Sequence, residues 1–146
     1  MRAGILVVVA ALVVATVIGL AVRRRNGRFR STAESAPTPD PVLATLGVTP
    51  GPDVTLLQFS TAFCGPCRTT RALCADVART VPGVRHLEVD AESHLDAVRA
   101  LDIWRTPTVL VIDRAGTVVF RATGAPSRAQ LLAVVAAALP EPAAIR

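Results

Sequence analysis

The chain opens on 20 consecutive uncharged residues, Ala3 to Val22, in which Thr16 is the single polar side chain. Wound as a helix, such a run spans about 30 Å, the thickness of a bilayer core. A soluble helix would show a polar face, and this one has none. Residues 31–41, Ser-Thr-Ala-Glu-Ser-Ala-Pro-Thr-Pro-Asp-Pro, then break all periodicity. They are small, polar and Pro-rich, and read as a semi-extended linker.

From Val42 the pattern changes. Val54 to Ser60 is β-branched and apolar and predicts a strand. Residues 65–80 carry a helical period that ends near Pro82-Gly83. Val84 to Val89 predicts a second strand, and Ser93 is a suitable N-cap for a helix through Leu101. Thr108 to Ile112 is nearly all apolar, as a buried central strand should be. Asp113-Arg114-Ala115-Gly116 turns the chain into a further strand at Thr117 to Arg121. Ser127 caps a last helix that runs to Leu139, where Pro140 stops it. The order is βαβ, a helix, then ββα. A βαβ unit makes parallel neighbours and a hairpin adds an antiparallel strand. The expected fold class is therefore α/β, a mixed sheet of about four strands flanked by helices. Between Pro37 and Asp53 only a short helical stretch at Leu43 to Leu46 stands out, so an extra N-terminal strand is expected to be lost. The resulting division is an anchor with its basic flank at 1–30, a linker at 31–42, a folded domain at 43–139 and a tail at 140–146.

Charge sharpens this division. The 146 residues carry 16 Arg or Lys against 11 Asp or Glu, a formal net charge of +5. Six Arg (2, 23, 24, 25, 28 and 30) and no acid lie in the first 30 residues, so the remainder is slightly acidic. The excess thus belongs to the membrane segment. A nucleic-acid partner is not expected, because that needs positive charge on the folded surface.

An uncleaved anchor is favoured over a signal peptide. The apolar run is longer than the 7–15 residues of a signal core, and only Met1 and Arg2 precede it. Gly19-Leu20-Ala21 resembles a cleavage site but abuts Arg23-Arg24-Arg25. The Arg bias places the domain on the cytoplasmic side, with the extracytoplasmic side as the alternative.

Three cysteines cannot close a disulfide framework, but Cys64-Gly65-Pro66-Cys67 has redox spacing. It lies where a strand gives way to a helix. Cys64 at a helix N-terminus faces unpaired N–H groups and the positive end of the dipole, which favour thiolate over thiol. Pro66 is tolerated in the first turn, where its missing N–H has no partner. Cys67 lies one turn on and can reach back to Cys64. Half of a zinc site, or an inert pair, are the alternatives. Zinc needs four ligands, and Cys74, His86 and His94 stand at spacings that fit no finger or ribbon. No metal and no organic cofactor is expected; the dithiol is the redox group.

Together with Thr106-Pro107-Thr108 and Gly124, the segment from Phe59 to Cys67 resembles the thioredoxin superfamily over roughly residues 43–139. The resemblance implies a thioredoxin-like fold and a cis peptide bond before Pro107. It also implies a substrate-docking surface at Thr106 and Pro107, where an extended segment adds by its backbone. Phe63 stands where the family has Trp before the first cysteine. Trp104 is expected to supplement it at that surface, with core packing as the alternative. The buried Asp of the family falls at Gln58 and its neighbouring Lys at His86. These two could form a polar pair beneath Cys67, with His86 supplying the base; an exposed His86 at the strand end is the alternative. Cys74 is expected to pack as a small core residue, and His94 to be solvated.

The expected activity is that of a membrane-anchored thiol–disulfide oxidoreductase reducing protein disulfides. Its implied partners are a protein disulfide substrate and an electron-donating reductase or membrane electron carrier, and the chain is expected to be a monomer. Two alternatives stand beside it. One is an exported disulfide oxidant or cytochrome-maturation factor, the other a redox-inactive binding module on the same fold.

Overall fold

The computed structural model describes residues 2–25, 27–32 and 41–140. Most of the expected linker (33–40) and the tail from 141 lie outside the described residues. The elements run α1 (Arg2–Arg25), β1 (Phe29–Ser31), α2 (Pro41–Thr45), β2 (Val54–Ser60), α3 (Gly65–Thr80), β3 (Val84–Asp90), α4 (Leu95–Ala100), β4 (Thr108–Asp113), β5 (Val118–Thr123) and α5 (Arg128–Ala138).

All seven residues of β2 are buried. This strand pairs in parallel with β3, from Val54↔Val84 to Ser60↔Asp90, and antiparallel with β4, from Val54↔Asp113 to Phe59↔Thr108. Successive side chains of a strand point to opposite faces, and here both faces are apolar. Leu57 and Phe59 pack with Leu43, Ala97, Leu101 and Ile103, the α2 and α4 side. Val54 and Leu56 pack with Cys74 and Val77 of α3 and Leu131 and Val135 of α5. Each fully buried Leu or Phe contributes about 1.5–3 kcal/mol, so the sheet is clamped from both sides.

Helix α5 begins as the sequence predicts. The Ser127 side chain accepts from the Gln130 N–H, and the Gln130 side chain accepts from the Ser127 N–H, a reciprocal capping box. Helix α4 begins one residue later than predicted. His94 takes the cap position without a side-chain cap bond, while the Ser93 hydroxyl donates to Asp90 instead.

The sheet has five strands, not about four, in the order β1-β5-β4-β2-β3. The added strand comes from the basic flank of the apolar helix. Phe29, Arg30 and Ser31 pair antiparallel with Ala122, Arg121 and Phe120. Backbone bonds from Gly27 N to Thr123 O (2.8 Å) and from Thr32 N to Val119 O (3.0 Å) extend the ladder at each end. Gly27 is buried with φ +75°, and a Cβ there would lie 2.0 Å from the Ala125 carbonyl oxygen, so only glycine fits. The apolar segment Ile5–Val22 of α1 is long enough to cross a membrane, and none of it is buried against the rest of the chain.

Candidate functional site

Strand β2 ends at Ser60, and a short turn delivers Cys64 to the N-cap of α3 in extended conformation, φ −86° and ψ 99°. Its Sγ accepts from the Cys67 N–H at 3.2 Å, an N-cap bond made by sulfur. Cys64 and Cys67 are joined in a disulfide, with S–S 2.00 Å and Cα–Cα 5.2 Å. The two sulfurs are not equivalent. Cys64 is partly exposed, whereas Cys67 is 1% exposed.

Strand β4 runs antiparallel to β2, so its first residues stand beside the end of β2. The preceding Thr106–Pro107 bond is cis, as the resemblance implies. Thr106 Oγ1 lies 3.2 Å from Thr61 Oγ1, which ties this loop to the turn that carries Cys64. Pro107 O accepts from Gly124 N at 2.7 Å. Phe63 is 100% exposed and Trp104 86% exposed, so the core-packing alternative for Trp104 is excluded. The Trp104 indole N–H donates to Asp102 at 2.5 Å. Phe63, Trp104, Thr106 and Pro107 therefore all stand at the Cys64 end of the sheet.

Beneath the cysteines the polar groups are arranged differently from the sequence expectation. The parallel register sets Gln58 opposite Glu88 and sets His86 opposite Leu56. Gln58 is fully buried, and its Nε2 donates to Ser60 Oγ (2.7 Å) and to Cys67 O (3.0 Å). The remaining Gln58 Oε1 and the His86 Nε2 are buried without a partner. A hydrogen-bonded Gln58–His86 pair is thus not formed: the register sets Glu88, not His86, opposite Gln58, and only the amide nitrogen of Gln58 is engaged, by Ser60 and the Cys67 carbonyl. Burial also lowers the His86 pKa below its ordinary 6.5, against a smaller upward pull from Glu88.

The residue that sequence reasoning missed is Glu88. A cavity of about 390 Å³ opens beside the disulfide, lined among others by Ser60, Cys64, Cys67, Arg71 and Glu88; His86 does not line it. The Glu88 carboxylate is held by Arg71 through contacts of 2.5 and 2.7 Å, and by a hydrogen bond with Ser60. Burial works to raise its pKa, but the Arg71 and Ser60 bonds and the Arg71 charge outweigh it and hold the group below 4.5. A hydrogen-bonded series therefore runs from the Cys67 carbonyl through Gln58 and Ser60 to Glu88. The signal for it was the alternation of β3: Glu88 lies two residues beyond His86 and shares its face.

Cys74 is fully buried in the α3 face of the core and free. Burial, aided by the Glu88 charge, pushes its thiol up to about 12. Such a thiol is inert. His94 is exposed. Among the described residues no group of three or more His, Cys, Asp or Glu is arranged to hold a metal ion.

A family model described as Thioredoxin matches residues 48–137. Among curated relatives, thioredoxin H4-2 of Oryza sativa subsp. japonica is 32% identical over 59 residues, 40% of this chain and 45% of that one. Thioredoxin H4-1 of the same subspecies is 34% identical over 55 residues, 38% of this chain and 42% of that one. The chain thus spans about half the length of the curated relatives it matches. Among solved structures, a mutant thioredoxin from Halobacterium salinarum superposes with a TM-score of 0.61 at 18% identity, covering 70% of this chain and 88% of that one. At that identity the likeness shows the fold alone. Thioredoxin f from spinach chloroplast gives a TM-score of 0.54 at 27% identity, covering 60% of this chain and 78% of that one.

Proposed function

This chain belongs to the thioredoxin family, and we propose that it is a membrane-anchored thiol–disulfide oxidoreductase that reduces protein disulfides through Cys64 and Cys67. The observation that carries the reading is the asymmetry of the pair at the start of α3. One sulfur is partly open and receives a helix N-terminal N–H, and the other is buried one turn on.

In the reduced form Cys64 is the attacking thiolate, stabilised by the Cys67 N–H and the helix dipole. It displaces one sulfur of the substrate disulfide, which leaves as a thiolate and takes a proton from water. The Cys67 thiol then loses its proton and attacks Cys64 Sγ. The second substrate sulfur leaves, and Cys64–Cys67 becomes the disulfide described above. Two electrons pass from the dithiol to the substrate. An external dithiol donor must return them.

The proton on Cys67 needs an acceptor, and Gln58 cannot be one. Glu88 takes that role across the cavity, with Arg71 and Ser60 fixing its carboxylate. Exposed Phe63 and Trp104 and the backbone at Thr106 and Pro107 form the docking surface for an extended substrate segment. Residues 3–22 are the membrane span, and the Arg-rich flank favours a cytoplasmic domain.

The test is the reduction potential of Cys64–Cys67 in the full chain in lipid nanodiscs, equilibrated against a dithiol buffer and read by mass spectrometry. A value near about −270 mV fits a protein-disulfide reductase. A value above roughly −180 mV would replace it with an oxidant or isomerase and favour the exported side.

A further inference from the structure

The geometry points to an active-site end that faces the bilayer, so that the partner disulfide is carried by an integral membrane protein close to the lipid surface. This rests on the reading of residues 3–22 as an uncleaved anchor. The first observation is the place where the chain leaves the membrane helix. From Arg25 to Gly27 is two residues, at most about 7 Å of chain. Gly27 is already locked into the sheet by its bond to Thr123 O and by its fit against Ala125. No long linker separates the membrane from the domain at this point.

The second observation is which end of the sheet that corner occupies. Strand β1 is antiparallel to β5, so its start lies beside the end of β5. From there a series of bonds crosses the end of the sheet to the cysteines. Gly27 N meets Thr123 O at 2.8 Å, and the adjoining Gly124 N meets Pro107 O at 2.7 Å. Next to Pro107, Thr106 Oγ1 meets Thr61 Oγ1 at 3.2 Å, and Thr61 O accepts from Cys64 N at 3.3 Å. Three strand spacings, from β1 through β5 and β4 to β2, amount to about 14 Å. The root of the membrane helix and Cys64 are thus neighbours at one end. The turn between β4 and β5, at the other end, lies about 20 Å further away.

The third observation is chemical and independent of the connection. Outside α1, the exposed large apolar side chains among the described residues are Phe63, Leu95 and Trp104. Phe63 follows β2, Leu95 follows β3 and Trp104 precedes β4, so all three stand at the Cys64 end. Exposed Arg28 and Arg30 flank the root of the anchor at the same end. Apolar and aromatic groups with a basic rim suit the headgroup region, where Trp is enriched and Arg meets anionic lipid. A domain held this way reaches a disulfide within about 20 Å of the headgroups and turns its other end to bulk water.

The full chain in phosphatidylcholine–phosphatidylglycerol vesicles tests this, because Trp104 is its only tryptophan. Vesicles containing a headgroup-nitroxide lipid should quench Trp104 by about half, while an indole moved to the far turn (Trp104→Phe with Ala115→Trp), about 20 Å away, keeps its emission. A disulfide peptide coupled to the headgroup without a spacer should be reduced as readily as the same peptide in solution. Inserting about 20 Gly/Ser residues after Arg25, a tether of roughly 25 Å, should abolish the quenching and leave reduction of the soluble peptide unchanged. If the chain sediments with vesicles but Trp104 stays bright, or the headgroup-coupled disulfide is untouched while the soluble one is reduced, the orientation is overturned and the reductase reading stands. A chain that does not sediment with vesicles removes the anchor and this inference with it. Failure to reduce either peptide removes the reductase reading itself.

Discussion

Under the proposed mechanism, Glu88→Gln separates the two halves of the exchange. The substitution keeps the shape of the side chain and can still bond Ser60, but it removes the charge and the capacity to accept a proton. Attack by Cys64 does not need that acceptor, because the helix N-terminus already favours its thiolate. Resolution by Cys67 does. An ordinary thiol with a pKa near 8.5 is about 3% ionised at pH 7. Without an acceptor, attack by buried Cys67 must wait on a thiolate fraction no larger than that, so the loss can reach about 30-fold. Arg71, freed from its partner, acts in the opposite direction and favours the Cys67 thiolate. It is open to solvent, with 54% of its side chain exposed, so its field is screened and recovers only part of the loss. The expected net effect is about tenfold slower resolution at pH 7, within the range of single general bases.

Asp90, the other carboxylate lining the cavity, is occupied by the Glu92 N–H and the Ser93 hydroxyl and should not substitute. The assay is a single turnover of the reduced full chain with a disulfide peptide, quenched in acid, with the Cys64–peptide mixed disulfide counted by mass spectrometry. In the variant this species should form at the normal rate and persist about ten times longer at pH 7. The difference should shrink as pH rises, because a thiolate at Cys67 needs no acceptor. Because Glu88 is held below 4.5, the wild-type advantage should persist down to that region as the pH falls. An unchanged lifetime at pH 7, or a gap undiminished at high pH, would refute Glu88 as the acceptor.

Two further outcomes follow from the buried groups. With its thiol pushed up to about 12, Cys74 should react with iodoacetamide at pH 8 about 10³-fold more slowly than an ordinary thiol, so the reduced native chain takes its first adduct quickly at partly exposed Cys64 and one at Cys74 only in denaturant; Cys74 labelled as fast as Cys64 would show the core picture to be wrong. His86 has a folded pKa lowered by burial, so below about 6.5 the unfolded chain binds the proton first, and stability is lost as pH falls from there through the folded value. His86→Leu should flatten this acid-side fall in Tm, and an identical slope in the variant would place its cause elsewhere.

What could be read from the sequence, and what could not, divides along the range of the interaction. Strand β2, the Cys64 position at a helix start and the Ser127 cap are specified within a few residues of themselves, and each formed where the local pattern placed it. The Ser93 cap was also local, yet the nearby Asp90 carboxylate took its hydroxyl, so competition between adjacent signals decided it. Strand β1 carries no local signal. It is three residues long with Arg30 at its centre, and it becomes a strand because β5 offers it an edge about 90 residues later.

The register beneath the cysteines failed for a related reason. His86 and Glu88 are two apart and share a face, so period-2 alternation cannot say which of them meets Gln58 across a strand pair joined through α3. Only the assembled sheet does. The consequence is chemical: burial lowers the His86 pKa below 6.5, whereas the Glu88 carboxylate, held below 4.5, stays ionised over the whole working range. With a neutral amide at Gln58, the carboxylate that the Gln58–Ser60 bonds lead to is Glu88, on the wall of an open cavity it shares with Asp90. There Glu88 is paired with Arg71, and under the proposed mechanism it would hand the proton released on Cys67 attack directly to water.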